Sequence, residues 1–186
     1  RAEEIRLAYS NAVDTLGYRV VMATYTMQHS KYHELSDSVT AMREARRKMR
    51  SGRDWQKFKA QYGYIGCISA LELTWSSDSG WHVHVHELLF MNPDIATFEI
   101  DVADNIMQKW LTNELAPRWV SAVEKVGRTA SIEHGLQIDT TDKYITEYVS
   151  KHGHLPESVT WDIASEIAQG NRKKSKGGLH PFQILE

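Results

Sequence analysis

The chain carries a single cysteine, Cys67, in 186 residues. One thiol excludes an internal disulfide framework and any zinc site built from several cysteines. No apolar run approaches the roughly 20 residues that cross a bilayer, and no signal-peptide pattern opens the sequence. The expectation is a soluble, cytoplasmic domain with no membrane partner. There is no large excess of either charge: the net charge is −2, which argues against a wholesale basic nucleic-acid binder. Internal repeats and low-complexity tracts are absent. An initial methionine is missing too, so residues 1–186 read as one domain excised from a longer chain. A chain of this length buries roughly two-thirds of its unfolded surface and needs no disulfide to fold.

The distribution of charge says more than its sum. Between Arg43 and Lys59 lie eight basic residues: Arg43, Arg46, Arg47, Lys48, Arg50, Arg53, Lys57 and Lys59. Arg172, Lys173, Lys174 and Lys176 form a second group, while Asp94, Glu99, Asp101 and Asp104 gather elsewhere. Segregated charge can give a nearly neutral protein one attractive face. The plainer alternative for each run is a solvated helix surface.

Apolar spacing predicts a helix over residues 1–16, stopped by Gly17. Residues 18–27 are rich in β-branched and aromatic types and read as a strand. Ser36 reads as the N-cap of a helix to about Arg50. Ser51 and Gly52 break it before a second helix to about Tyr62. Residues 64–75 and 81–91 read as strands joined by a turn of Ser76, Ser77, Asp78, Ser79 and Gly80, a β-hairpin. Helical patterning covers 94–126, interrupted near Pro117. Another strand is expected over 129–139, a short helix over 141–151 and a further helix over 161–168. The mixture predicts an α+β fold with an antiparallel sheet.

His82, His84 and His86 alternate along one predicted strand, so their side chains share a face. Each buried imidazole needs a partner for both ring nitrogens, which makes three on one face unusual for a core. A row of satisfied or exposed histidines is the structural alternative. If the hairpin turn centres on Asp78, Glu72 falls opposite His84, Ala70 opposite His86 and Thr74 opposite His82. Cross-strand partners project to the same side at about 5 Å between Cβ atoms. Glu72 then approaches the histidines while Leu71 and Leu73 face apolar packing. Two imidazoles and a carboxylate leave open positions on a divalent ion, which can then hold a substrate oxygen. Such ligands suit manganese, zinc, cobalt or nickel, and magnesium less well.

Tyr144 and Tyr148 lie four residues apart in a predicted helix and share a face, offset by about 40°. Lys151 follows three residues later on the same side. A pair of half-buried packing tyrosines has the same spacing. As a nucleophile, a phenol with a pKa near 10 costs about 4 kcal/mol to ionise at pH 7. A nearby ammonium favours the phenolate. Attack by such a tyrosine on a phosphodiester keeps the bond energy in a phosphotyrosine link and permits rejoining.

These residues resemble a known family. Trp81-His82-Val83-His84-Val85-His86-Glu87-Leu88-Leu89-Phe90 resembles the HUH motif (histidine, hydrophobic, histidine) of rolling-circle plasmid replication initiators. Thr24-Tyr25-Thr26 resembles their first motif, and Ala70-Leu71-Glu72-Leu73-Thr74 their Glu-x-Thr strand. Tyr144-Ile145-Thr146-Glu147-Tyr148-Val149-Ser150-Lys151 resembles the motif of the catalytic tyrosine. His180-Pro181-Phe182-Gln183-Ile184-Leu185 resembles the family's closing motif. The motifs stand in family order over most of the chain.

The resemblance implies an HUH endonuclease domain: an antiparallel sheet of about five strands, a ferredoxin-like palm, flanked by helices. It implies a metal-dependent nickase and strand transferase acting on single-stranded or cruciform plasmid origin DNA. His84, His86 and Glu72 would hold a divalent ion, manganese or magnesium first among them, with His82 beside it. Tyr148 would be the nucleophile, bonded to the 5′-phosphate and releasing a 3′-OH primer. A host helicase and polymerase would follow, and Lys151 would orient the phosphate. Tyr144 stands as an alternate nucleophile, because some relatives carry two tyrosines and others a water-activating glutamate there. Glu147 departs from the lysine common in two-tyrosine relatives and is a second candidate for activating water.

The two basic groups are then candidate phosphate contacts. Trp55, Trp75 and Trp81 are candidates for stacking on unpaired bases. The rival readings are a transposase or relaxase with the same cleavage chemistry, and a non-enzymatic metal- or DNA-binding module.

Overall fold

The computed structural model describes residues 7–140. An α-helical turn over 7–10 widens into a π-helical turn, Asn11–Thr15. There follow β1 (Arg19–Thr26), α1 (Leu35–Met49), α2 (Gly52–Tyr62), β2 (Tyr64–Ser76), β3 (Gly80–Met91), α3 (Asp104–Glu124) and β4 (Leu136–Thr140). The four strands form one sheet in the order β2-β3-β1-β4, antiparallel at every junction. The fold is α+β. Among the described residues the sheet has four strands against the roughly five expected. The helices expected over 141–151 and 161–168 lie outside the described residues.

Side-chain alternation divides the sheet into two unlike faces. Val21, Ala23 and Tyr25 of β1 and Val83, Val85, Leu89 and Met91 of β3 enter the main core. The helices close that side with regular apolar spacing. α1 contributes Ala41, Met42, Ala45 and Met49, and α2 contributes Trp55, Phe58 and Tyr62. α3 contributes Met107, Leu111, Leu115 and Trp119. Trp119 meets the Tyr25 ring edge-on at 5.1 Å, and its Nε1 donates to the Thr26 carbonyl at 2.8 Å. Among the described residues the opposite face carries a smaller apolar cluster, in which Ala12, Val20 and Leu88 are buried and side chains such as Tyr18, Met22, Ile68 and Phe90 pack against them. It lies toward one end of the sheet, under the opening helical turns. The histidine half of β3 lies on this second face.

Glu87 interrupts the apolar side of β3. It is completely buried, and both its oxygens are taken by guanidiniums from α1. Arg46 donates from Nε at 2.9 Å and from Nη2, and Arg50 donates from Nη2. Arg50 also reaches Cys67 Sγ at 3.3 Å. Burial works against the Arg50 charge, but Glu87, together with Tyr25, Tyr64 and Cys67, outweighs it and raises the guanidinium above its usual range. This ion triad joins α1 to the strand that carries the histidines.

Three expectations need correction. The helical pattern over 94–126 resolves into an irregular stretch and a helix that starts at Asp104. Buried Ile100 supplies the apolar signal ahead of it. Pro117 lies within α3 without ending it, because its exposed position spares the packed side, where Leu115, Ala116 and Trp119 are buried. The strand expected over 129–139 is confined to Leu136–Thr140. Ahead of it a turn closes, with the Gly135 amide donating to the Ser131 carbonyl at 2.8 Å. α1 begins two residues early, with extended Glu34 before it and Ser36 already inside the helix.

Removing one partner from a buried ion triad strands the others. Glu87→Ala is expected to lower the unfolding free energy by about 3 kcal/mol, measured by urea denaturation. An unchanged midpoint would show that the triad does not hold α1 to the sheet.

Candidate functional site

The register of the β2–β3 hairpin places Glu72 opposite His84, Ala70 opposite His86 and Thr74 opposite His82. Ser77, Asp78 and Ser79 form the connection. Gly80 opens β3 at φ +77°, a left-handed conformation that favours glycine. A Cβ there would stand 2.6 Å from Lys31 Cα and 2.9 Å from the Ser30 carbonyl oxygen, so the backbone after β1 packs directly on the hairpin. On its other side β3 pairs with β1, where Thr24 lies opposite His86 and Thr26 opposite His84.

The side chains form a continuous polar row. His86 is 8% exposed and Glu72 is 8% exposed, and His86 Nε2 lies 2.8 Å from Glu72 Oε2. The other ring nitrogen of His86, Nδ1, lies 3.0 Å from Thr24 Oγ1. His84 and His82 are half-buried, with His84 Nε2 2.9 Å from His82 Nδ1. The His82 ring stacks on His29 at 4.1 Å and 17°. Burial, then the neighbouring His84 and His29, push the His82 imidazole down to about 3. His82 is therefore neutral at pH 7.

The donor types fit a divalent ion. Two ligand atoms each about 2.1 Å from an ion and at right angles are about 3 Å apart, close to the Glu72–His86 spacing. The positions of the side chains are not yet those of a closed ligand set. Nε2 of His84 engages His82, and among the described residues no three His, Cys, Asp or Glu side chains stand together as a metal site. Glu72, His86 and His84 are the residues that would hold an ion, with His84 released from His82. Thr24 would support His86 from behind, as partners of metal-bound imidazoles commonly do.

The basic candidates have a different setting from the histidines. α1 packs against the helix-covered side of the sheet, so the Arg43–Arg50 stretch belongs to the opposite layer. Arg46 and Arg50 are committed to Glu87, which corrects the expectation that they face a phosphate backbone. Arg47 pairs with Glu44 at 2.8 Å and Lys57 approaches Asp54 at 3.7 Å, both in solvent. Arg43 and Arg53 are exposed, and Lys48 and Lys59 half-exposed. Trp55 takes the core-packing role that is the commoner one for a tryptophan: it is buried against Phe58 and Tyr64 and has no face for a base. Trp75 and Trp81 pair across the hairpin and remain half-exposed. Tyr144, Glu147, Tyr148, Lys151, Arg172, Lys173, Lys174 and Lys176 lie outside the described residues.

Sequence patterns gave no role to two neighbours of the histidines. Thr24 meets His86 only through the β1–β3 pairing, which joins residues 62 apart. The resemblance of Thr24-Tyr25-Thr26 to a family motif did not say which strand lies beside it. His29 lies beyond the end of β1, and no periodicity identifies it as the stacking partner of His82.

A family model described as "Replication protein" matches residues 5–111. A curated protein named "Protein rep", from Streptomyces lividans, is 25% identical over 231 residues, an alignment that takes in all of this chain and 48% of the relative. The chain thus spans about half the length of the curated relative it matches. No solved structure matches. No helix among the described residues is long and apolar enough to cross a membrane.

The neutral state of His82 sets a pH dependence. In the unfolded chain it titrates near 6.5; in the fold, near 3. Below about pH 6.5 the unfolded state takes up a proton that the folded state refuses. The contribution is complete above that pH and is lost progressively as pH falls. Urea midpoints are expected to fall between about pH 6.5 and 5 less steeply in His82→Gln than in the parent. Parallel slopes would show that His82 titrates normally in the fold.

Proposed function

This chain belongs to the replication protein family, and on that footing we propose that it initiates rolling-circle replication by nicking single-stranded plasmid origin DNA. The observation that carries the reading is the Glu72–His86 pair, 2.8 Å apart on the sheet face opposite the main core, with His84 next along the strand. That arrangement supplies ligands for a divalent ion, manganese or magnesium. Bound there, the ion would polarise the scissile phosphate and stabilise its developing charge.

The chain's own groups do the rest. The Tyr148 phenolate attacks phosphorus, a tyrosyl O–P bond forms, and the bond from phosphorus to the 3′-oxygen breaks. That oxygen leaves with the electron pair, takes a proton and becomes the primer end. Lys151 favours the phenolate and steadies the phosphate. Tyr144 serves as the second nucleophile for strand transfer, and Glu147 is the alternative route to water. The covalent link conserves the phosphodiester energy, so rejoining needs no external source. Single-stranded or cruciform origin DNA is the substrate, and a host helicase and polymerase extend the primer. Arg43, Arg47, Lys48, Arg53, Lys57 and Lys59, with Arg172, Lys173, Lys174 and Lys176, contact flanking phosphates away from the metal ligands.

Incubation with single-stranded origin DNA and manganese is expected to give a protein–DNA band that survives SDS. EDTA added beforehand abolishes it, and Tyr148→Phe removes it when Tyr148 acts alone. Mass spectrometry of the linked peptide names the tyrosine. A gel shift with no SDS-stable band would instead identify a binding module. Thr24→Val is expected to weaken manganese binding by about 10- to 100-fold in calorimetry; unchanged affinity would detach Thr24 from the metal centre.

A further inference from the structure

The turn after β1 carries groups that the nicking chemistry leaves unused. Tyr32 is 82% exposed, the most exposed large hydrophobic side chain among the described residues. The Lys31 ammonium lies 5.2 Å from its ring centroid. The ammonium sits over one face of the ring, and both residues are exposed to solvent. The core does not use this ring.

The turn is anchored to the histidine strand at two points. His29, at its start, stacks on His82. The backbone of Ser30 and Lys31 rests on Gly80, with no room for a Cβ between them. The turn also closes on itself. The His33 amide donates to the Ser30 carbonyl at 3.0 Å, and the Ser30 amide to His33 Nδ1 at 3.3 Å. Tyr32 lies three residues from His29, at most about 11 Å along the chain. The backbone at Tyr32 therefore stands near the His82 end of the histidine row.

An unpaired nucleobase suits this pair of groups. Its π-face stacks on an aromatic ring whatever its identity, and its flanking phosphate meets the ammonium. Paired duplex hides those faces. Exposed Glu34, just before α1, and Asp37, in its first turn, follow directly, so the local charge is mixed, and stacking supplies most of the binding. We propose that Tyr32 is a stacking platform for an unpaired base of the DNA strand, with Lys31 on the adjoining phosphate. The strand is then gripped on the His82 side of the metal ligands. This inference rests on the reading that the chain acts on single-stranded DNA.

The test measures binding apart from cutting. The full chain, without added metal, is titrated into a fluorescein-labelled strand of about twenty thymidines and followed by anisotropy. Tyr32→Ala is expected to weaken binding about five- to a hundredfold, while Tyr32→Phe matches the parent. Lys31→Ala should reduce the slope of log affinity against log salt by about 0.7. Melting temperatures should stay at the parent value, since both side chains are exposed. Equal affinity of Tyr32→Ala and the parent overturns the inference and leaves nicking untouched. A parent chain with no measurable affinity for the strand overturns it as well. The nicking reading fails separately, by absence of the SDS-stable adduct on the plasmid's own single-stranded origin.

Discussion

The register between β2 and β3 governs whether this chain has a site at all. Side chains alternate along each strand, so a slip of one residue would turn Glu72 away from His84 and His86. The register is fixed at both ends of the hairpin. At the turn, Gly80 takes a left-handed conformation under the backbone of Ser30 and Lys31. Farther along, Glu87 is pinned beneath the sheet by Arg46 and Arg50. Since Glu87 directly follows His86, the clamp on one face fixes the position of the imidazole on the other.

The two sides of β3 divide the work. Val83, Val85, Leu89 and Met91 bury themselves against the helices and contribute most of the hydrophobic stabilisation. His82, His84 and His86 form a polar row on the other face, with His82 and His84 half-buried and His86 buried. The row stays satisfied because each ring finds a neighbour: Thr24 and Glu72 for His86, His82 for His84, and His29 for His82. A polar cluster in which every member has a partner is tolerated close to a core. The same partners keep His84 turned toward His82, so binding an ion involves exchanging an imidazole contact for a metal bond.

The separation of the histidine face from the α1 arginines bears on how DNA would be held. A strand lying across the histidines meets the turn carrying Lys31 and Tyr32 before it meets Arg43 or Arg47 on the other layer. Charge on α1 can attract DNA at a distance, but it cannot position a phosphate at Glu72 and His86. Close positioning would fall to groups on the sheet's own face.

The hairpin, its register and the alternation of His82, His84 and His86 were all legible in the sequence. They depend on local turn chemistry and a two-residue period, both of which survive in a one-dimensional reading. The helices α1 and α2 were legible through equally local signals, the break at Ser51-Gly52 between them and an end near Tyr62. Other features were decided only by tertiary structure. Arg46 and Arg50 look like surface charge until Glu87 is seen buried between them. Trp55 looks like a stacking ring until Phe58 and Tyr64 close over it. Thr24 and His29 acquire partners only when β1 is laid beside β3. Contacts between residues distant in sequence depend on which surfaces the folded chain brings together, and neither periodicity nor propensity records that choice.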